Sequence, residues 1–589
     1  MKTQQKLTIY SITFLMVSLL FTSCTDLEEV VLDEELGEQT ADPEGVLASA
    51  YDRLGDKTFV DHGGVFALQE YTTDIAMLPT RGSDWGDGGK WRSMHEFTWA
   101  PDNSIVTGNW NYLTNGITRS LTAVESIYNS DASTKDLFLA EARGLLAFYT
   151  YTTLDLYGQA PYRDPYAEDQ TIQILQAEDA IDDLILEVEA IIPDLAALGE
   201  QATYNGRFTK EAAYGLLATM YLNRSVFKDR YNSGSSFNFT EASLTAGSND
   251  MEQVIKYTSL LINSGKFALE NNYFSNFSIN NGSSTEMIFA VVQEIEAVRS
   301  GDNDFGYVSV ARNQRPSPAN RGTNAACTTP EFFATWSGNE SDPRFSRKYQ
   351  YRDGTWFMND GTDVSVPAED FVPDSESNAW FHFNSGFLNG PQYGPILDGN
   401  GGFIMTDDGR IAVSPLVMEK STATPMDFTP ELNFDNPAQA VFAQDQINRG
   451  VRIFKFEYDP ENGNGNSKVD IPLYRLGGMY AMRAEAYFRN GQTGAALIDI
   501  NMLRTSRTRE SLFSNAPGEI LTALDEEQLY KEIGFELYWE LQRRPQMVRF
   551  GTFDAAYTAK PATEPYRRIF PIPQETMDVT KEFTQNNGY

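Results

Sequence analysis

Cysteine is nearly missing from this chain: Cys24 and Cys327 are the two residues of that type in 589. A disulfide framework is therefore excluded beyond one pair, and no Cys-x-x-Cys redox or zinc motif exists. Histidine is almost as scarce. His62, His95 and His382 are the whole supply, and none stands in a His-Glu-x-x-His pattern. The common zinc-hydrolase arrangement is thus absent, and so are the Gly-x-Ser-x-Gly elbow and the phosphate-cradling Gly-x-x-x-x-Gly-Lys-Ser/Thr loop. Base is short relative to acid, with 46 Lys and Arg against 82 Asp and Glu and a net charge of −36. Phosphate recognition needs clustered Lys and Arg, so nucleic acid is excluded as a partner. The same excess keeps a displayed protein soluble. Long apolar runs are lacking too. The best candidate, 7–21, is interrupted by Thr8, Ser11 and Thr13 and is too short for a membrane span.

What is present begins with that run. Lys2 and Lys6 precede it without any acid, and small Thr22 and Ser23 follow it. Residues 1–23 read as a secretory signal peptide. Cys24 directly after the small residues resembles the lipobox of bacterial lipoproteins, which are cleaved before that cysteine and acylated on it. Lipidation there leaves Cys327 without a disulfide partner. Residues 24–41 carry Asp26, Glu28, Glu29, Asp33, Glu34 and Glu35 and read as an acidic, solvated tether. Similar acidic stretches act as surface-export signals in some Gram-negative lipoproteins, which points outward.

From Asp42-Pro43 onward an apolar stripe of helical period appears: Val46, Leu47, Ala50, Tyr51, Leu54. Further amphipathic helices are predicted over 109–129, 133–157, 178–198, 209–224 and 251–264, with Ser133 and Thr209 as N-caps. Helices return at 473–490 and 495–504. A third starts after Asp525 with Gln528 in a capping-box-like pair, its Leu529, Ile533, Leu537 and Leu541 at i+4 spacing. Small Gly477, Gly478, Ala481, Ala484 and Ala486 would let a neighbouring helix approach closely. Short turns between such helices predict antiparallel pairs, a mainly α fold of tetratricopeptide-like hairpins. Residues 42–589 are expected to form one domain, a helical scaffold (42–269 and 471–589) carrying a loop-rich insertion (270–470). That insertion is rich in Gly, Asn, Asp, Ser and Pro and has short strand signals at 287–292 and 451–456.

Chemistry-bearing residues are few. Asp459, Asn462, Asn464, Asn466 and Asp470 put oxygen donors on a tight loop where calcium is possible, but Leu473 stands where an EF-hand's closing Glu would fall. No cofactor is otherwise expected. Acidic pairs for glycoside hydrolysis are too numerous to distinguish. The segment from Arg81 to Arg92 is different. Trp85 and Trp91 lie there among glycines, with Arg81, Asp84 and Lys90 beside them and no period that would bury them. Sugar rings stack C–H faces on indoles while charged groups take the hydroxyls. Trp85, Trp91, Asp84, Arg81 and Lys90 are therefore candidate ligand-binding residues, joined by Trp356 and Trp380 in the insertion. Trp110 and Trp336 sit in apolar patterns and read as core.

Several motifs then coincide in order along the chain. They are 156–162 (LYGQAPY), 206–213 (GRFTKEAA), 286–289 (EMIF), 474–491 (YRLGGMYAMRAEAYFRNG), 500–507 (INMLRTSR), 536–550 ending in MVRF, 569–573 (IFPIP) and the terminal QNNGY. Together they resemble the SusD/RagB family of lipid-anchored outer-membrane nutrient-binding proteins. The resemblance implies binding without catalysis and delivery of oligosaccharide or polysaccharide to a SusC-like TonB-dependent transporter. It also implies a lipid-anchored position in the outer membrane facing the cell exterior, and ligand sites made of aromatic arcs on exposed loops. By position, the loop with Trp85 and Trp91 matches a segment that contributes such an aromatic. A neutral β-glucan is the favoured ligand. A surface-anchored glycan-degrading enzyme and a peptide-binding protein of the same fold are the alternatives. Cys24→Ala should release soluble protein from the outer-membrane fraction, because several acyl chains anchor stably where the polypeptide alone does not. Retention at wild-type level, with no partner present to hold it, would contradict lipidation.

Overall fold

In the computed structural model, the structure describes residues 42–589 apart from 234–235, 294–302, 371–378, 420, 437, 444–445, 447, 461–466 and 510–515. The signal, Cys24, the tether and most of the Asn-rich loop lie outside the described residues. Among those described, no helix is long and apolar enough to cross a membrane.

The scaffold is a row of antiparallel helices. In chain order they are α1 (Pro43–Asp52), α2 (Val65–Gln69), α3 (Lys90–Glu96), α4 (Ser104–Tyr128), α5 (Lys135–Tyr157), α6 (Ala177–Ile191), α7 (Lys210–Lys228), α8 (Asp250–Ile262), α9 (Leu476–Arg489), α10 (Thr493–Ser506), α11 (Glu526–Leu537) and α12 (Arg543–Arg549). Each long helix from α4 to α10 packs on the next, giving the tetratricopeptide-like stack that the periodicity predicted. Val106, Trp110, Leu113, Ile117, Leu121 and Val124 bury one stripe of α4. Gly116 on that stripe admits the Tyr149 ring of α5 so closely that a Cβ would stand 2.5 Å from it. Trp110 is core, edge-on to Tyr157 and Phe583. Trp336 is core as well, stacked 3.7 Å from Phe535.

Local sequence set most helix ends, with instructive exceptions. Thr209 caps α7 by accepting from the Ala212 N–H, and Asp525 caps α11 by accepting from the Gln528 N–H at 2.8 Å. The Gln528 side chain does not close a capping box; it donates to Glu532 instead. Ser133 is not a cap, since α5 begins one turn position later behind Thr134. The α6 helix ends at Ile191 rather than 198, just before Pro193, whose ring and missing N–H oppose continuation. Leu541 lies beyond α11, which stops at Leu537 and passes through left-handed Trp539 and Leu541.

Between α8 and α9 the chain makes its long excursion. Its outgoing strand Met287–Val291 pairs antiparallel with its returning strand Ile471–Arg475, so both ends of the excursion share one neck. Short sheets follow, notably Ser346–Arg347, Ser385–Leu388 and Arg452–Phe454. A second apolar cluster around Phe357, Phe381, Ile411, Met418 and Phe428 gives this part its own core.

Charge holds the excursion to the helices. Arg475 reaches Glu286 (3.1 Å), Glu536 (2.7 Å) and Glu540 (2.6 Å). Arg507 pairs with Glu286 and, at 2.9 Å, Glu536. Arg344 meets Asp342, Glu532 and Glu536, while Arg504 bonds Glu532 and Lys455 bonds Glu540. Gly477 does not make room for a helix, as its small size suggested. A Cβ there would strike Arg475 at 2.1 Å and Glu536 at 2.3 Å, so the glycine clears space for charges.

Burial alone would raise the Glu286 pKa, but Arg507 and Arg475 outweigh it and hold the carboxyl at about 2 instead of 4.5. A depressed acid pKa contributes stability above its unfolded value. For Glu286 that contribution should vanish as pH falls from 4.5 towards about 2. Glu286→Gln, which takes one carboxylate partner from two buried arginines, should cost about 3–5 kcal/mol in urea unfolding at neutral pH. It should also flatten this part of the acid limb. A loss below about 1 kcal/mol, the range of exposed pairs, would show the network to be weakly coupled.

Candidate functional site

The Arg81–Trp91 segment folds as a tight turn leading into α3. Thr80 and Arg81 pair in parallel with Val441 and Phe442, and Arg81 and Asp84 exchange two backbone hydrogen bonds of 2.9 Å. Trp85 follows with φ of 58°, a left-handed backbone that is unusual for a bulky residue. The Thr80 hydroxyl donates to its carbonyl at 3.3 Å. Trp85 is half-buried, and its ring meets Trp91 at 5.8 Å, 72° apart.

The candidates of this loop divide by environment. Trp91 is only 7% exposed; its Nε1 donates to Asp87 at 2.8 Å and its ring lies on His62 and against Tyr71. Lys90 stays partly exposed with Nζ 4.8 Å above the Trp91 ring. Arg81 is turned inward. Its guanidinium donates to the Ala325 and Arg449 carbonyls and lies over Phe442. Burial pushes its pKa down. Asp84 is buried too, 3.4 Å from Arg312 and from Asn324. Of the candidates in this loop, Trp85 and Lys90 are thus the two that reach the surface, with Trp91 as the wall behind them.

Beneath the indoles, Asp61, His62 and Asp304 bring ligand atoms within 4.8 Å of one another, the one such cluster among the described residues. His62 Nδ1 and Asp304 hydrogen-bond directly to each other. In the proposed calcium loop, Asp459 accepts from the Lys468 N–H and Asp470 from the Gln293 N–H. Asn462, Asn464 and Asn466 lie outside the described residues.

The insertion holds a second aromatic group. Trp380, half-buried, lies 3.9 Å over His382, which stacks on Tyr349 at 3.7 Å and 3°. Tyr349 donates to Glu369, whose strand pairs with that of Trp380. Beside Tyr349 opens a cavity of about 320 Å³ lined by Arg347, Lys348, Gln350, Lys455 and Glu457. Burial raises the Glu457 carboxyl to about 7. Trp356, also half-buried, pairs through its backbone with Gln350 next to Tyr349, outside the ring stack itself. Sequence reading missed Tyr349 and His382 in this stack, and His62 and Asp304 beneath Trp85. His62 and Asp304 are 242 positions apart, and no local pattern announces such a pair.

Trp91→Ala should destabilise the protein by about 3–5 kcal/mol, the usual cost of deleting a core indole. Trp85→Ala should melt close to wild type. Thermal melting of both decides; equal, large losses would make Trp85 core as well.

The motifs of the sequence also find their place here. The terminal residues dock on the 569–573 segment: Asn586 donates to the Tyr157 and Phe570 carbonyls, and Tyr589 to that of Ile569. The sequence profile described as "SusD family" matches residues 225–589. The starch-binding protein SusD of Bacteroides thetaiotaomicron is 24% identical over 96% of each chain. Among solved structures, surface glycan-binding protein A of Bacteroides uniformis is 17% identical and covers 92% of this chain and 98% of its own, with a TM-score of 0.60. A laminarin-binding SusD-like protein is 17% identical, covers 93% and 99%, and also has a TM-score of 0.60. With that profile spanning most of the chain and the helical stack in common, the protein belongs to the SusD family.

Proposed function

We propose that this chain is a cell-surface glycan-binding lipoprotein, anchored in the outer membrane through Cys24, that captures oligosaccharides and passes them to a SusC-like TonB-dependent transporter. The observation that carries the reading is Trp85: a bulky indole kept half-exposed on a left-handed backbone, with Lys90 beside it. Strain of this kind persists where the surroundings enforce it, commonly at binding sites. Trp380, on its His382–Tyr349 stack, is the second candidate platform. Relatives named for binding starch and laminarin agree with a sugar ligand. A neutral glycan is favoured, since a charge of −36 repels polyanions on approach, and a β-glucan is the choice we put first.

Binding needs no catalytic group. The carboxylates beneath Trp85, Asp61 and Asp304, are turned onto His62, and Asp61 Oδ1 accepts from the Gly63 N–H. Neither is arranged across an open cleft as paired glycosidase carboxylates are.

Calorimetry with laminarin and with soluble starch tests the reading. Trp85→Ala should weaken binding by about thirtyfold, equivalent to about 2 kcal/mol, with melting little changed. Trp380→Ala would be the more damaging substitution if the insertion holds the main platform. Wild-type binding by both variants removes the site from these indoles. New reducing ends on prolonged incubation would make the protein an enzyme.

A further inference from the structure

The three histidines have different surroundings. Burial drives His95 down to about 4, while its Nε2 donates to the Thr558 carbonyl. Burial also lowers His382. His62 goes the other way. Burial opposes its charge, but Asp304 and Asp61 together outweigh that and raise it above 6.5.

Its geometry explains why. Asp304 takes both donors that His62 offers on one side: Nδ1 and, at 2.8 Å, the backbone N–H. The ring then lies 4.8 Å from Trp91 and edge-on to Trp85 at 5.3 Å. Its Nε2 is buried and has no hydrogen-bond partner among the described residues. With a proton on both nitrogens, the ring is a cation against two π systems, an attractive contact. Without that proton the attraction is lost. Other charged groups around it are few. Lys90 opposes the His62 charge, Lys57 faces Asp61, and Asp87 holds the Trp91 N–H. The Tyr71 ring stands edge-on to Trp91, and its hydroxyl is pushed far up by burial, with the Asp304 and Asp61 charges adding to the rise.

We propose that the Asp304–His62 pair is a positioning device for Trp85, and that loss of the His62 proton loosens glycan held on that indole. The inference rests on the glycan reading of the Trp85 loop. His62 and Asp304 act through the indole and touch no sugar.

The test combines a histidine-selective NMR titration of the full chain with laminarin calorimetry at the same pH values, from about pH 5 to about pH 9. With three histidines, His62→Gln assigns the resonance. His62 should titrate above 6.5. Asp304→Asn should lower that midpoint by about one pH unit or more. Wild-type affinity for laminarin should fall about threefold or more through the His62 midpoint. The fall should follow the midpoint in Asp304→Asn and disappear in His62→Gln. A flat affinity across the wild-type midpoint overturns the proposal, as does an unmoved pH profile in His62→Gln. The wild-type arms need no variant to fold. Soluble starch takes the place of laminarin if only starch binds; if neither binds, the glycan reading of this loop fails separately. The pair is then read from Trp85 fluorescence, as wild type minus Trp85→Phe. A transition at the His62 midpoint supports the device, and none overturns it.

Discussion

The structure depends on a buried, charge-balanced knot. Arg344, Arg475, Arg504, Arg507 and Lys455 supply five positive charges, and Glu286, Asp342, Glu532, Glu536 and Glu540 supply five negative ones, all essentially shielded from solvent. Burying that many ions is costly unless every one is paired and hydrogen-bonded. The requirement is met only when the neck of the excursion, its inner loops and helices α10 and α11 come together. Charge therefore joins strand pairing and apolar packing in seating the loop-rich insertion on the helical stack.

Several departures from simple helix rules follow from this knot. The α11 helix ends at Leu537, and the left-handed turn after it carries Glu540 to Arg475 and Lys455. Gly477 is small because charges crowd it. The same logic recurs on a smaller scale under the Trp85 loop, where a buried His62 is tolerable because Asp304 and Asp61 surround it. The helical stack supplies rigidity, and the aromatic groups are carried on loops and short strands that it holds in place.

The helical stack was largely legible in the sequence. Apolar period and cap residues located α4 to α10, because those signals are local and helix burial repeats every three to four residues. Some errors were local, as at Ser133 and at Pro193, which ends α6 early; others fell where a distant partner decided the outcome, as at Leu541 and Gly477. The site was legible in part. Two indoles among glycines marked the Trp85 loop, but not that Trp91 is wall and Trp85 surface, since burial depends on His62 and Tyr71 from another segment. Arg81 and Asp84 looked available because their neighbours are glycine and serine; their real partners come from 312–325 and 449. The Tyr349–His382–Trp380 stack was half visible, as a lone Trp380, because Tyr349 arrives from a segment about thirty positions away and His382, two positions on, carries no pattern of its own.

The account's central claim is that a rigid helical scaffold presents glycan to aromatic residues on the loops it carries. Hydrogen–deuterium exchange with and without laminarin tests it most directly. Protection is expected in residues 80–92, in 346–350 and 379–385, or in both sets, with α4 to α10 unchanged. Protection confined to the outer helices, with the Trp85 and Trp380 segments exchanging as before, would contradict it.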